Sequence, residues 1–429
     1  MRILIAPGTT RVAFEVVRSL KHAKNIELIG AGSNFQDSDS WPYSEYHYLP
    51  YLNPSSEKQL GEIASKTNSD FVILTHDEWL FRFASSKQIG TARIVISSEK
   101  SIQISSFKSL TYEFFGALVR VPQLYEPDDR NLPFPLFAKP DRGQGARNTF
   151  VVYNLAQLES VKRSSPCLLI FCEYLPGHEF TVDCFSDNSH QVIFAACRER
   201  EDYSDGISKN TRHVKNPSFV DVWADIFSSK LLIRGAWFFQ FKLDSFGEPV
   251  LLELGMRIAG ASGISRLRGV NLSLLNLHLF SIDSKELELY NQYNSACSSV
   301  DSSFQLGFDF KAVYVDLDDT IFVNGEINHK LVVFLNGQSQ IGVCIYVITR
   351  NPNPEKMIET HDLLHGINYK VLKVNPEFPK SHFIDLNSKP FLFVDDSHRE
   401  RWQVKLAFGD SVLVLDPSFC WQGEDNIGL

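Results

Sequence analysis

The chain has 429 residues, enough for two or three separately packed units, and its 44% hydrophobic and 22% charged content is ordinary globular usage that excludes a disordered protein. A formal charge of -9 with Lys and Arg scattered lacks the electrostatic footprint of a nucleic-acid binder, so no nucleic-acid partner is expected. The seven cysteines form no Cys-x-x-Cys pair and sit mostly in apolar runs such as "CLLIFCEYL", which reads as reduced core thiols.

The opening "MRILIAPGTTRVAFEVVRSLKHAKNIELIGAGSN" alternates an apolar strand, a Gly-Thr-Thr turn, an amphipathic helix and a second strand. Pro7-Gly8 cuts the first apolar run too early for a signal-peptide core or a membrane span, so a cytoplasmic protein without a membrane partner is expected. "DFVILTHDEW" and "ARIVIS" continue the alternation, and residues 1–106 read as an open α/β sheet without a dinucleotide fingerprint. The aromatic run "WPYSEYHYLPY", Trp41 to Tyr51, is expected to pack as a loop on that sheet.

From Phe107 the texture changes to a helix and closely spaced strands, "LFAKP", "NTFVVY", "CLLIFCEYL", "EFTVDCFS" and "QVIFAACRER", whose closeness predicts antiparallel pairing. A helix over "FVDVWADIFSSKLLI" and the hairpin "AWFFQFKLDSFGEPVLLELGM" complete a second unit, residues 107–289. Residues 290–308, polar and serine-rich, read as a linker. Residues 309–429 hold five apolar strand candidates separated by helical stretches, the pattern of a parallel α/β unit.

Ligands of a parallel sheet bind beyond the carboxyl ends of its strands, where "AVYV", "IYVI" and "FLFV" deliver Asp316, Thr349 and the pair Asp395-Asp396. Lys380 opens a helical stretch between them. Adjacent acids suit Mg2+, and a carboxylate can attack phosphorus where a metal and a lysine offset the repulsion. The ordered set "DLDDT", "VIT", Lys380 and "FVDD" resembles the haloacid dehalogenase superfamily of phosphatases over about residues 310 to 420. That resemblance implies Asp316 as nucleophile, Asp318 as general acid and base, Thr349 and Lys380 on the phosphate, and Mg2+ among Asp316, Asp318, Asp395 and Asp396. No cap domain fits between Asp316 and Thr349.

In "PLFAKPDRGQGARN", Lys139 ends a strand and is followed by Arg142, Gly143, Gly145 and Arg147, the glycine amides and cations a polyphosphate needs. With "EYLPGHEFTVDCF" and "VLLELGMRIAG", this resembles the ATP-grasp fold, closest to its carbamoyl phosphate synthetase-like branch, over about residues 1 to 285. The resemblance implies a pre-ATP-grasp domain over 1–106 and an ATP-grasp domain over 107–289. It places Lys108, Lys139 and the 143–147 loop on ATP phosphates, the backbone from Glu173 to Leu175 at adenine, and Glu179 at ribose. Gln240 and Glu253 would hold Mg2+, and Arg257 the transferred phosphate, with Arg198 and Arg200 facing the phosphates more loosely. One departure stands out: the family pattern Glu-x-Asn-x-Arg reads Glu253-Leu254-Gly255-Met256-Arg257 here, so one metal ligand is missing unless water or an acid such as Asp244 replaces it.

The two resemblances together imply an ATP-dependent carboxylate–amine ligase with a Mg-dependent phosphatase on one chain, acting on small-molecule carboxylate, amine and phosphoester partners. A small-molecule kinase plus phosphatase, or a non-catalytic ATP-binding module that regulates the phosphatase, are the other readings. The candidate assembly is a homodimer.

Overall fold

The computed structural model describes all residues except 22, 34–42, 130, 144–147, 205–206, 282–295, 300–303, 307 and 419–429. The first unit is a six-stranded sheet in the order Glu45–Tyr48, Glu27–Gly32, Arg2–Ala6, Phe71–Leu74, Ala92–Val95 and Gln88–Ile89, parallel except for the last pair. Its continuous apolar strands are buried on both faces, as parallel strands must be when helices cover them. The helix Arg11–Leu20 starts where the Thr10 hydroxyl accepts from the Ala13 N–H at 3.0 Å, and it buries Val12, Val16, Val17 and Leu20. The run expected to be a loop instead supplies the edge strand Glu45–Tyr48, Trp41 lies outside the described residues, and Gly30 leaves room for the Tyr46 ring beside it.

The second unit has a four-stranded antiparallel sheet, in the order Leu124–Tyr125, Leu169–Glu173, Leu136–Pro140, Phe150–Val152, and a seven-stranded one. In the larger sheet Glu179–Ser186 lies between Val192–Ser204 and Gly235–Leu243, and the latter also pairs with Pro249–Gly255. Strand alternation sends Val182, Phe239 and Phe241 to one face, where Trp223 and Phe227 of the helix Ser218–Leu231 cover them. Phe227 meets Phe239 edge-on with ring centroids 5.2 Å apart. The stretch expected to be a bare linker instead adds the strands Ala296–Ser299 and Phe304–Leu306 to this sheet. Backbone pairing to the exposed edge of Ile207–His213 outweighs the polar composition that suggested a connector.

The last unit is a five-stranded parallel sheet, ordered Tyr369–Lys373, Cys344–Thr349, Ala312–Val315, Phe391–Val394, Val412–Leu415. All five sequence-predicted strands are present. Ile264, from the 3-10 segment Ser262–Arg268 that follows the large sheet, is 1% exposed and lies in the same apolar core as Val313, Val347 and Leu415. Among the described residues no helix is long and apolar enough to cross a membrane.

Candidate functional site

One face of the seven-stranded sheet carries Glu179, Arg198, Arg200, Gln240 and Glu253. Direct cross-strand pairs place Thr181 opposite both Arg198 and Gln240, and Gln240 opposite Glu253. Because paired residues of an antiparallel ladder point to the same side, Arg198, Thr181, Gln240 and Glu253 form one row across four strands, with Glu179 two residues along from Thr181. Arg200 bonds Glu179 and also donates to Gln240 at 3.1 Å, whereas Arg198 is committed to Asp183 at 2.8 Å in a buried pair.

The smaller sheet and the helix Lys108–Phe115 bring two lysines towards Glu253. Lys139, buried at the end of Leu136–Pro140, donates to the Tyr112 hydroxyl at 2.7 Å, and Tyr112 donates to the Leu252 carbonyl at 2.7 Å. Leu252 is the extra residue at the irregularity between Gln240 and Phe241, so the chain of bonds ends beside Glu253. Lys108, at the start of the helix Lys108–Phe115, lies 3.6 Å from Glu253 and donates to the Gly143 carbonyl at 3.1 Å. Arg142 lies over the Phe81 ring at 4.0 Å, and Gly145 and Arg147 fall outside the described residues. Glu173 pairs with Arg120 at 2.7 Å in the strand leading to buried Leu175.

Arg257 is held from the first unit by Asp77, with contacts of 2.6 and 2.8 Å. Burial works against the charge on both partners, yet each holds the other ionised: Asp77 lies below the usual carboxylate range and Arg257 above its ordinary value. A Cβ on Gly255 would stand 2.3 Å from the Phe238 ring, so the cross-strand phenylalanine fills the room that an asparagine would need. Asp244 is taken up by the hairpin turn, where it bonds Arg120 and accepts the N–H groups of Phe246 and Glu248. Of the oxygen groups that the resemblance gave to a metal, Gln240 accepts from Arg200 and Glu253 lies 3.6 Å from Lys108.

In the last unit, strand ends bring the predicted residues together. Asp316 follows Ala312–Val315, Asp395 follows Phe391–Val394, and Lys380 Nζ lies 2.7 Å from a carboxylate oxygen of each. Thr349, at the end of Cys344–Thr349, donates to Asp318 at 3.3 Å. Burial, and then the neighbouring Asp395, push the Asp316 carboxyl well above the usual range. Asp396 is pushed up to about 6 by burial and then by Asp395 and Asp319. Burial would lower Lys380, but Asp395 and Asp316 outweigh it and raise the ammonium. Ligand atoms of Asp316, Asp395 and Asp396 lie within 4.8 Å of one another, a spacing and chemistry that fit a hard divalent cation.

Several residues of these sites escape sequence reasoning. Asn351 donates to Asp318 at 3.0 Å, the Ser397 N–H fixes Asp395 at 2.8 Å, and Glu400 accepts the Lys380 N–H at 2.9 Å. Asn351 stands two residues after Thr349 and its N–H reaches the Thr349 hydroxyl, a local signal that was visible in "VITRN". Tyr112, Asp77 and Phe238 carry no motif of their own.

Residues 165–296 match the family described as ATP-grasp in the biosynthetic pathway with Ter operon. No curated protein matches the chain significantly. Among solved structures, the biotin carboxylase domain dimer of Hydrogenobacter thermophilus 2-oxoglutarate carboxylase, in complex with MgADP, ADP and bicarbonate, has a TM-score of 0.59 at 13% identity, covering 70% of this chain and 74% of that one. Biotin carboxylase from Campylobacter jejuni in a beta-gamma-ATP complex gives 0.57 at 13% identity, over 70% and 75%. N5-carboxyaminoimidazole synthetase from Staphylococcus aureus complexed with ADP gives 0.56 at 13%, over 70% and 81%. The match over residues 165–296 and these shared architectures together show that the chain carries the ATP-grasp fold.

Proposed function

We propose that the chain is a bifunctional enzyme: an ATP-dependent carboxylate–amine ligase, followed by a phosphomonoesterase of the haloacid dehalogenase type. The ligase half is supported by the row Glu179, Gln240, Glu253 facing Lys108 and Lys139 on a fold whose solved relatives hold adenine nucleotides. Lys139 and Lys108 would balance the polyphosphate, the segment from Glu173 to Leu175 would meet adenine, and Glu179 the ribose. Gln240 and Glu253 would hold Mg2+, which neutralises phosphate charge during transfer to the carboxylate. Arg257, oriented by Asp77, would steady the acyl phosphate until the amine displaces phosphate. A homodimer belongs to this reading, since one solved relative is a domain dimer.

The observation that carries the phosphatase half is Lys380 bridging Asp316 and Asp395 beneath the mouth of a parallel sheet. Asp316, with Thr349 and Lys380 holding the phosphoryl oxygens, would attack phosphorus as the ester bond breaks, forming an aspartyl-phosphate. Asp318, held by Thr349 and Asn351, would protonate the departing alkoxide and then take a proton from the water that hydrolyses the acyl phosphate. Mg2+ bound by Asp316, Asp395 and Asp396, with the Asp318 segment beside it, would screen the charge of carboxylate and phosphate.

The test separates the halves: phosphate release from an aryl phosphate, and ADP release from ATP with pooled carboxylates and amines. Asp316→Asn is expected to abolish only the first and Lys139→Ala only the second. Retention of an activity in its own variant refutes the corresponding assignment. Phe238 packed over Gly255 favours one further reading, an ATP-binding module that regulates the phosphatase. ATP binding without ADP formation in any pool, together with ATP-dependent phosphate release, would select it.

A further inference from the structure

The mouth of the C-terminal site is walled by a different part of the chain. Between Asp316 and Thr349 that unit supplies only the hairpin Phe322–Val323 to Glu326–Ile327 and the helix His329–Gln340. Facing the hairpin is the turn that follows the helix Arg11–Leu20 of the first unit. Lys24 Nζ lies 2.5 Å from Asp319 Oδ2, and the Asn25 N–H points to Asn324 Oδ1 at 3.4 Å on the hairpin tip. The approach is fixed by buried contacts behind it. Asn271 Nδ2 donates to the Ser19 carbonyl at 2.8 Å and to Ser418 Oγ at 3.2 Å, tying the helix that carries the turn to the end of the C-terminal sheet. Ile264 enters the C-terminal core alongside.

We propose that this turn is the cap of the phosphatase site, and that Lys24 selects phosphomonoesters whose leaving group carries a second negative charge. The inference rests on the phosphatase reading given above. Asp319 adjoins Asp318, so Lys24 stands beside the residue that would protonate the leaving group, with Asp318 and Asp396 near enough to act on its charge. Asp316, Asp318, Asp319, Asp395 and Asp396 make the mouth acidic, and an anionic leaving group needs a cation at the rim. Lys24 is suited to supply it: its side chain is 58% exposed, its flexible stem can swing from Asp319 to a substrate carboxylate or phosphate, and the neighbouring acids keep it charged. Asp319 competes with the substrate for the same amine.

Phosphoglycolate and ethyl phosphate, which differ by one carboxylate, test this with Mg2+ present. A partly exposed ion pair worth about 1 kcal/mol predicts that Lys24→Ala raises KM for phosphoglycolate about fivefold, leaving kcat and the ethyl phosphate KM unchanged. Asp319→Asn, which frees the amine, should lower KM for phosphoglycolate alone. Equal effects on both esters, or none, overturn the proposal, because a merely structural turn would not distinguish them. Release from both esters must vanish in Asp316→Asn; if the wild type releases no Asp316-dependent phosphate, the phosphatase reading falls. The cap is then judged by phosphoglycolate binding in calorimetry, and indifference of that binding to Lys24→Ala overturns it as well.

Discussion

Asp396 shows how burial sets chemistry at a single residue. Its carboxyl is pushed up to about 6, first by burial and then by Asp395 and Asp319, whereas the unfolded chain would ionise it near the ordinary carboxylate value of about 3.9. A raised folded value means the native state keeps its proton longer than the unfolded one. The stability this contributes is therefore full below the unfolded value and is lost as pH rises through about 6. Asp316 and Asp395 shift in the same direction. Metal-free protein should melt at a lower temperature at pH 7 than at pH 5, and added Mg2+ should restore more of the loss at pH 7. Thermal denaturation with and without Mg2+ at both values checks this, and an equal metal effect at both would contradict it. The residue motifs behind this cluster were plain in the sequence, since strand-end Asp and Thr follow apolar runs directly. Their shared lysine geometry was not, because Lys380 lies far in sequence from Asp316 and 15 residues before Asp395, with no local spacing that pairs it with either.

At the scale of elements, the helix Ser218–Leu231 illustrates local rules under tertiary control. Its apolar face, with Trp223 and Phe227, follows helical spacing and packs on the large sheet. Its end is less well matched: Leu232 stops the helix in the left-handed region at φ 53 while 49% exposed. Glycine meets no Cβ penalty there, so Leu232→Gly should stabilise the protein by up to about 1 kcal/mol, measured by denaturant unfolding. A loss of stability would mean that the Leu232 side chain contributes more by packing than its backbone costs. The predicted strands were legible from apolar alternation, yet the pair Ala296–Ser299 and Phe304–Leu306 was not. Small polar residues carry no strand signal, and here backbone pairing to a sheet edge decides the outcome.

Across the whole molecule, buried contacts join the C-terminal unit to the front. Ile264 belongs to the segment after the large sheet but packs in the C-terminal core, and Arg266 beside it forms a buried ion pair with Glu15 of the first unit. Ile264→Asp would place a charge in that core without a partner, and a loss of about 3 kcal/mol or more is expected. The wild type should unfold in one calorimetric transition and the variant in two, as the units uncouple. Two transitions in the wild type would show the units to be independent already.

The sequence by itself determined the five strands of the C-terminal parallel sheet and the order of the acidic and basic motifs, because those depend on local hydrophobic period and on residues at strand ends. It also exposed the Gly255 departure, since that is a matter of residue identity. Tertiary structure alone decided that Phe238 fills the space over Gly255, that Asp77 of the first unit holds Arg257, and that Lys24 stands at the C-terminal mouth. Each of these joins residues far apart in sequence, and only the packing of one unit on another brings their charges and surfaces within reach.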